Sequence, residues 1–121
     1  MVLEGNFYKT NNIEKIDDGS YNVEVELMST HPIYAGHFPS QAVVPGVCTL
    51  TIIRECLSRI LEKNVVFESI KECKYISALL PQDNLTITIN INITEANKLK
   101  VTVVRNDNQQ AVLKLKSTIN K

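Results

Sequence analysis

The sequence predicts an α+β domain in which one antiparallel sheet wraps around a single long helix. Three observations predict it. One apolar stripe at helical spacing runs between residues 46 and 63, strand-like alternation precedes and follows that stripe, and short turn signals separate the alternating runs. At 121 residues the chain is one domain, spanning 1–121, and long enough to bury a core.

In chain order, the segment from Asn6 to Lys15 is polar and turn-rich, with weak strand character around Phe7 and Tyr8. Asp17-Asp18-Gly19-Ser20 reads as a turn. Val23, Val25 and Leu27 then alternate with Asn22, Glu24 and Glu26, as in a half-buried strand. A loop follows that holds Pro32, Gly36, Pro39, Pro45 and Gly46 together with both histidines, His31 and His37. Irregular segments of that length inside compact domains are commonly functional. From Gly46 to about Lys63, Leu50, Ile53, Leu57, Ile60 and Leu61 form an apolar stripe that Ile52 and Cys56 widen. Pro45 stands just before the helix, where its missing N–H costs nothing.

The second half predicts strand after strand. Val65 to Leu80 contains one long strand with Ile70, Lys74 and Ile76, and Pro81-Gln82-Asp83-Asn84 is a turn. Leu85, Ile87, Ile89, Ile91 and Ile93 alternate with Thr86, Thr88, Asn90 and Asn92. Glu95-Ala96-Asn97-Lys98 turns the chain, Leu99, Val101 and Val103 alternate again, and Asn106 to Gln109 makes a last hairpin leading to Val112–Ile119. One helix cannot cover both faces of such a sheet, so the sheet must curl around it. That is the architecture of the hot-dog kind.

Composition narrows the function. Lys and Arg number 13 and Asp and Glu 13, so no basic excess marks the chain as a nucleic-acid binder. MVLEGNFYKT has neither the basic nor the apolar part of a signal peptide, and no apolar run is long enough to span a bilayer. Cys48, Cys56 and Cys73 are odd in number and lack CxxC spacing, which fits buried or semi-buried thiols in a reducing compartment and a cytoplasmic location. The N-x-S/T triplets at Asn84 and Asn92 fall in strand-like sequence and are chance matches. Two histidines without a carboxylate cluster make no metal set, and no glycine-rich nucleotide loop is present.

The stretch Gly36-His37-Phe38-Pro39-Ser40, a short spacer, and Pro45-Gly46-Val47 at the head of the helix resembles the signature of the FabA/FabZ-type 3-hydroxyacyl-[acyl-carrier-protein] dehydratases. That family's pattern is G-H-F-P-G followed by P-G-V, and only its second Gly is changed here, to Ser40. Lys74-Tyr75 and Leu80-Pro81-Gln82-Asp83-Asn84-Leu85 are similar to a second family strand and turn. The resemblance covers about Ser20 to the C-terminus. It implies a hot-dog fold and a lyase that converts a 3-hydroxyacyl thioester to the trans-2-enoyl form. It implies no cofactor beyond the phosphopantetheine of an acyl carrier protein, or CoA, that bears the substrate. It also implies a homodimer or higher homo-oligomer sharing its active sites edge to edge, the base from one chain and the acid from the helix of its partner.

By the same resemblance His37 is the base, since a neutral imidazole has the basicity to take an α-proton near pH 7. The oxygen of the thioester gains negative charge as the proton leaves. The Gly46 amide at the helix head, with Val47 behind it, is placed to stabilise that charge. Phe38 is expected against the substrate and the His37–Phe38 peptide in cis, while Tyr34 is read either as lining or gating the acyl tunnel or as core packing.

The departure is the acid. Where the family has Glu or Asp, fourteen residues after the histidine, this chain has Thr51, and one turn later it has Glu55. Residues four apart share a helix face. Either Thr51 orients the hydroxyl or a water while Glu55 supplies the proton, or Glu55 is a solvated charge paired with Arg59. Two other functions share the fold: a non-catalytic acyl-binding or heterodimer-partner protein, which Thr51 favours, and a thioesterase, in which Glu55 activates water. His31 is expected to cap a turn, Cys48 and Cys56 to fill apolar space. Lys98, Lys100, Lys114 and Lys116 alternate along strands as an exposed sheet face, with a carrier-protein docking patch as the alternative.

Overall fold

The computed structural model describes residues 8–27, 46–77 and 85–120, and of residues 46–48 the backbone alone. The elements are β1 (Tyr8–Asp17), β2 (Ser20–Leu27), α1 (Gly46–Leu61), β3 (Phe67–Tyr75), β4 (Thr86–Ile93), β5 (Lys98–Arg105) and β6 (Ala111–Ile119). The strands form one antiparallel sheet in the order β1-β2-β4-β5-β6-β3. This is the hot-dog arrangement that the alternation and the single apolar helix predict.

Register explains the core. Val23, Ile89, Val103 and Leu113 lie directly opposite one another across four strands. Residues in direct register share a face, so the four stack on the inner side with Ile87, Ile91, Val101 and Leu115 around them. All eight are at most 1% exposed. Ile52, Ile53, Cys56 and Leu57 of α1 join them in the core and are at most 2% exposed. Full burial of one such aliphatic side chain contributes about 1.5–3 kcal/mol. The predicted stripe is therefore shifted: Leu50, Ile60 and Leu61 are only partly buried and flank that centre.

The end of α1 is fixed by its neighbours. Glu62 adopts the left-handed region at φ 54°, and the Lys63 amide turns back to the Ser58 carbonyl at 3.2 Å. The Val65 amide donates to Ser58 Oγ at 3.0 Å. Asn120, just past β6, accepts from the Val66 amide at 2.9 Å and donates to the Asn64 carbonyl at 3.0 Å.

Two expectations are corrected. The segment read as turn-rich is a ten-residue strand, β1, whose register shifts between Thr10 and Asn12 and between Lys15 and Asp17. Its position at the sheet edge leaves most of its side chains exposed, so it carries little apolar alternation. The long strand expected within Val65–Leu80, with Ile70, Lys74 and Ile76, runs Phe67–Tyr75, so Ile76 falls just past its end, and its register shifts between Ile70 and Glu72. Ile76 still donates to the Val112 carbonyl at 2.8 Å beyond its end. Among the described residues β3 pairs with β6 alone, and Ile70, Tyr75 and Ile76 are about half exposed along it.

The turn at Gly19 depends on the missing side chain. Its φ is +74°, and a Cβ there would lie 2.3 Å from the Ile93 carbonyl oxygen. That closeness lets the Gly19 carbonyl accept the Ile93 amide at 2.7 Å, joining the β1–β2 turn to the end of β4.

Candidate active site

The helix begins at Gly46, so the amides of Gly46 and Val47 belong to the first turn, where N–H groups lack partners within the helix. No acidic residue occupies that turn. The positive end of the helix dipole is thus not offset by a carboxylate of the same turn. A developing oxyanion is the charge such a position favours.

Two of the expected site residues lie further along α1. Thr51 and Glu55 are one turn apart and both partly buried. Glu55 Oε1 accepts a hydrogen bond from Tyr8 Oη at 2.9 Å. Tyr8 is 1% exposed, so its ring is part of the core while its hydroxyl reaches the helix from the first residue of β1. Glu55 is therefore not a fully solvated helix-face charge. Thr49, between Thr51 and the helix head, is 4% exposed.

His37, Phe38 and Tyr34 lie outside the described residues, as do His31, the His37–Phe38 peptide and the side chains of Val47 and Cys48. The structure brings together Thr51, Glu55 and the helix head on one element. Tyr8 is the residue that sequence reasoning missed. The sequence carried no signal for it: its place opposite Leu27, an inward position of β2, follows from the β1–β2 register and puts the ring on the inner face of the sheet. Of the cysteines, Cys56 is buried and Cys73 is partly buried. Lys98, Lys100, Lys114 and Lys116 all face solvent, as the alternation predicts. Among the described residues no cluster of three or more His, Cys, Asp or Glu is placed to hold a metal, and no helix is long and apolar enough to cross a membrane.

Known proteins agree with this architecture. The ApeI-like family, described as ApeI dehydratase, matches residues 12–116. The 3-hydroxyacyl-[acyl-carrier-protein] dehydratase FabZ of Macrococcus caseolyticus is 29% identical over 97 residues, 70% of this chain and 64% of that protein. FabZ of Staphylococcus aureus matches at the same identity and coverage. The aligned stretch is thus less than two thirds of the length of these curated relatives. Among solved structures, the dehydratase heterocomplex ApeI:P from Xenorhabdus doucetiae superposes with a TM-score of 0.78 at 22% identity, covering 93% of this chain and 96% of that one. A hypothetical thioesterase from Streptococcus pneumoniae with coenzyme A superposes at 0.65 and 15% identity, covering 93% and 83%. At those identities the structures speak for the fold alone, whereas the family match spans most of the sequence: the chain belongs to the ApeI-like dehydratase family.

Proposed function

We propose that this chain is a cytoplasmic lyase that removes water from a 3-hydroxyacyl thioester, carried on an acyl carrier protein or CoA, to give the trans-2-enoyl thioester. The observation that carries the proposal is the G-H-F-P…P-G-V motif leading directly into a helix that the sheet seals. His37 takes the α-proton. The first-turn amide of Gly46 stabilises the charge that forms on the thioester oxygen, and Phe38, Val47 and Tyr34 line the acyl slot. The electron pair released at the α-carbon forms the double bond as the β-hydroxyl departs. Glu55 protonates that hydroxyl and Thr51 orients it, so that water leaves and no external oxidant or reductant is needed. The chain works as a homodimer, with base and acid from opposite subunits.

A second reading rests on Thr51. A hydroxyl is a poor acid where the resemblance calls for a carboxyl, and the fold matches a chain of a dehydratase heterocomplex. In that reading the chain is one half of a heterodimer whose partner completes the site. Mass analysis of products separates the possibilities. The purified chain with a 3-hydroxyacyl carrier substrate gives the enoyl thioester, and both His37→Ala and Glu55→Gln abolish it. Release of free acid and carrier thiol would instead make it a thioesterase. Turnover only after a second dehydratase subunit is added would make it a heterodimer partner, and full activity of Glu55→Gln removes Glu55 from the chemistry.

A further inference from the structure

The fold treats its two buried hydroxyls differently. Among the described residues Thr49 of α1 is 4% exposed and Ser117 of β6 is 3% exposed. Ser117 Oγ lies 3.1 Å from the Ser69 carbonyl and 3.0 Å from the Thr118 carbonyl, so its hydrogen-bonding capacity is used. Among the described residues nothing pairs with the Thr49 hydroxyl. A buried hydroxyl without a partner is destabilising, and valine has the same shape without the polar atom. A position that breaks this rule with no local compensation marks a functional site.

The place of Thr49 says what the hydroxyl is for. It is the fourth residue of α1, three after Gly46, so the two share one side of the helix. Side chains on a helix lean toward its N-terminus and cover the turn before their own Cα. The hydroxyl of Thr49 therefore leans over Gly46, which brings no side chain of its own. Thr49 also precedes Ile52 and Ile53 by three and four residues, and both are sealed in the core. A polar group meeting this hydroxyl beside the first-turn amides would do so away from water, where a hydrogen bond is strongest. No acidic residue of that turn competes for it.

We propose that the Thr49 hydroxyl is a second donor to the thioester oxygen, acting beside the Gly46 amide. The proposal rests on the dehydratase reading for the identity of the acceptor. The hydroxyl keeps its own proton and donates a hydrogen bond that tightens as negative charge builds on the oxygen. Thr49 touches the reacting thioester and is thereby a catalytic residue, distinct from Thr51 and Glu55, which act on the leaving hydroxyl. The unpaired state without substrate is the cost of having the donor already in place.

The test compares Thr49→Val with Thr49→Ser. Removing one such donor lowers kcat on a 3-hydroxyacyl thioester about a hundredfold with KM little changed. Thr49→Val also melts at the wild-type temperature or higher, because an unpaired hydroxyl has gone, and Thr49→Ser retains most of the rate. A second readout needs no turnover: isotope-edited infrared spectroscopy of a bound acyl-CoA labelled at its thioester carbonyl. The carbonyl stretch is lowered on binding to wild type and to Thr49→Ser, and rises part of the way back in Thr49→Val. An unchanged band and an unchanged kcat in Thr49→Val overturn the proposal. So does a variant that loses stability and rate together without rescue by serine, which would make Thr49 a packing residue. If the wild type lowers the carbonyl stretch and Thr49→Val reverses it, yet no enoyl product forms, the donor stands and the lyase reading fails. If the enoyl product forms equally well in Thr49→Val, the lyase reading stands and the donor fails.

Discussion

Replacing Tyr8 by Phe isolates a contact that ties the sheet to the candidate acid. The ring stays in the core, where Tyr8 is 1% exposed, and only the hydroxyl that donates to Glu55 Oε1 at 2.9 Å is lost. A hydrogen bond to a carboxyl oxygen contributes about 1–3 kcal/mol, and the partial burial of this pair places it at about 1.5 kcal/mol. For a domain of this size that is a fall in melting temperature of about 6 °C. A double-mutant cycle with Glu55→Ala apportions it, because each single change removes the bond and the double change cannot remove it twice. The expected coupling is about 1.5 kcal/mol by denaturant unfolding. If Glu55 is the acid, Tyr8→Phe also lowers kcat on the 3-hydroxyacyl substrate about tenfold with KM unchanged, since a looser carboxyl is misplaced for proton transfer. Strict additivity to within about 0.5 kcal/mol, with kcat at the wild-type value, would refute the claim that Tyr8 positions Glu55.

Other predictions concern the frame around the site. Gly19→Ala combines a φ of +74° with a Cβ 2.3 Å from a backbone oxygen, and is expected to cost about 2–4 kcal/mol, read as a lower urea midpoint with unchanged slope. The Arg105 guanidinium meets Asp107 at 3.0 and 2.7 Å and holds its carboxyl below the usual value of 3.8. A depressed folded value means that this contribution is complete above 3.8 and is lost as pH falls through the lower folded value. An NMR titration of Asp107 should therefore have its midpoint below 3.8 in wild type and move upward in Arg105→Gln.

The legible parts of the fold are those where one face is buried and the other wet. The run from Leu85 to Ile93 alternates because β4 is an interior strand with one sealed face, and its register follows from that. β1 hides because an edge strand with two register shifts owes its place to pairing with β2 rather than to apolar side chains. The helix was legible in extent and in the breadth of its apolar face, since Ile52 and Cys56 are sealed beside Ile53 and Leu57, whereas Leu50, Ile60 and Leu61 of the same stripe are only partly buried. The Tyr8–Glu55 bond joins residues 47 apart in sequence, and no local pattern announces such a contact.

The burial pattern also says where this domain can vary its chemistry. Among the described residues the buried polar ones are Thr49 and Ser117. Ser117 Oγ donates to the Ser69 carbonyl at 3.1 Å, which commits it to holding β3 against β6. The inner face of the sheet is therefore mainly an aliphatic wall, and the Tyr8 hydroxyl of β1 reaches from it to Glu55 on the helix. Glu55 is the one carboxyl in the sixteen residues of α1. With Thr51 where the resemblance calls for an acid, any proton that this helix delivers from a carboxyl comes from Glu55. It must then come from a side chain already held by Tyr8, so the first strand of the sheet, rather than the helix alone, sets where that carboxyl points.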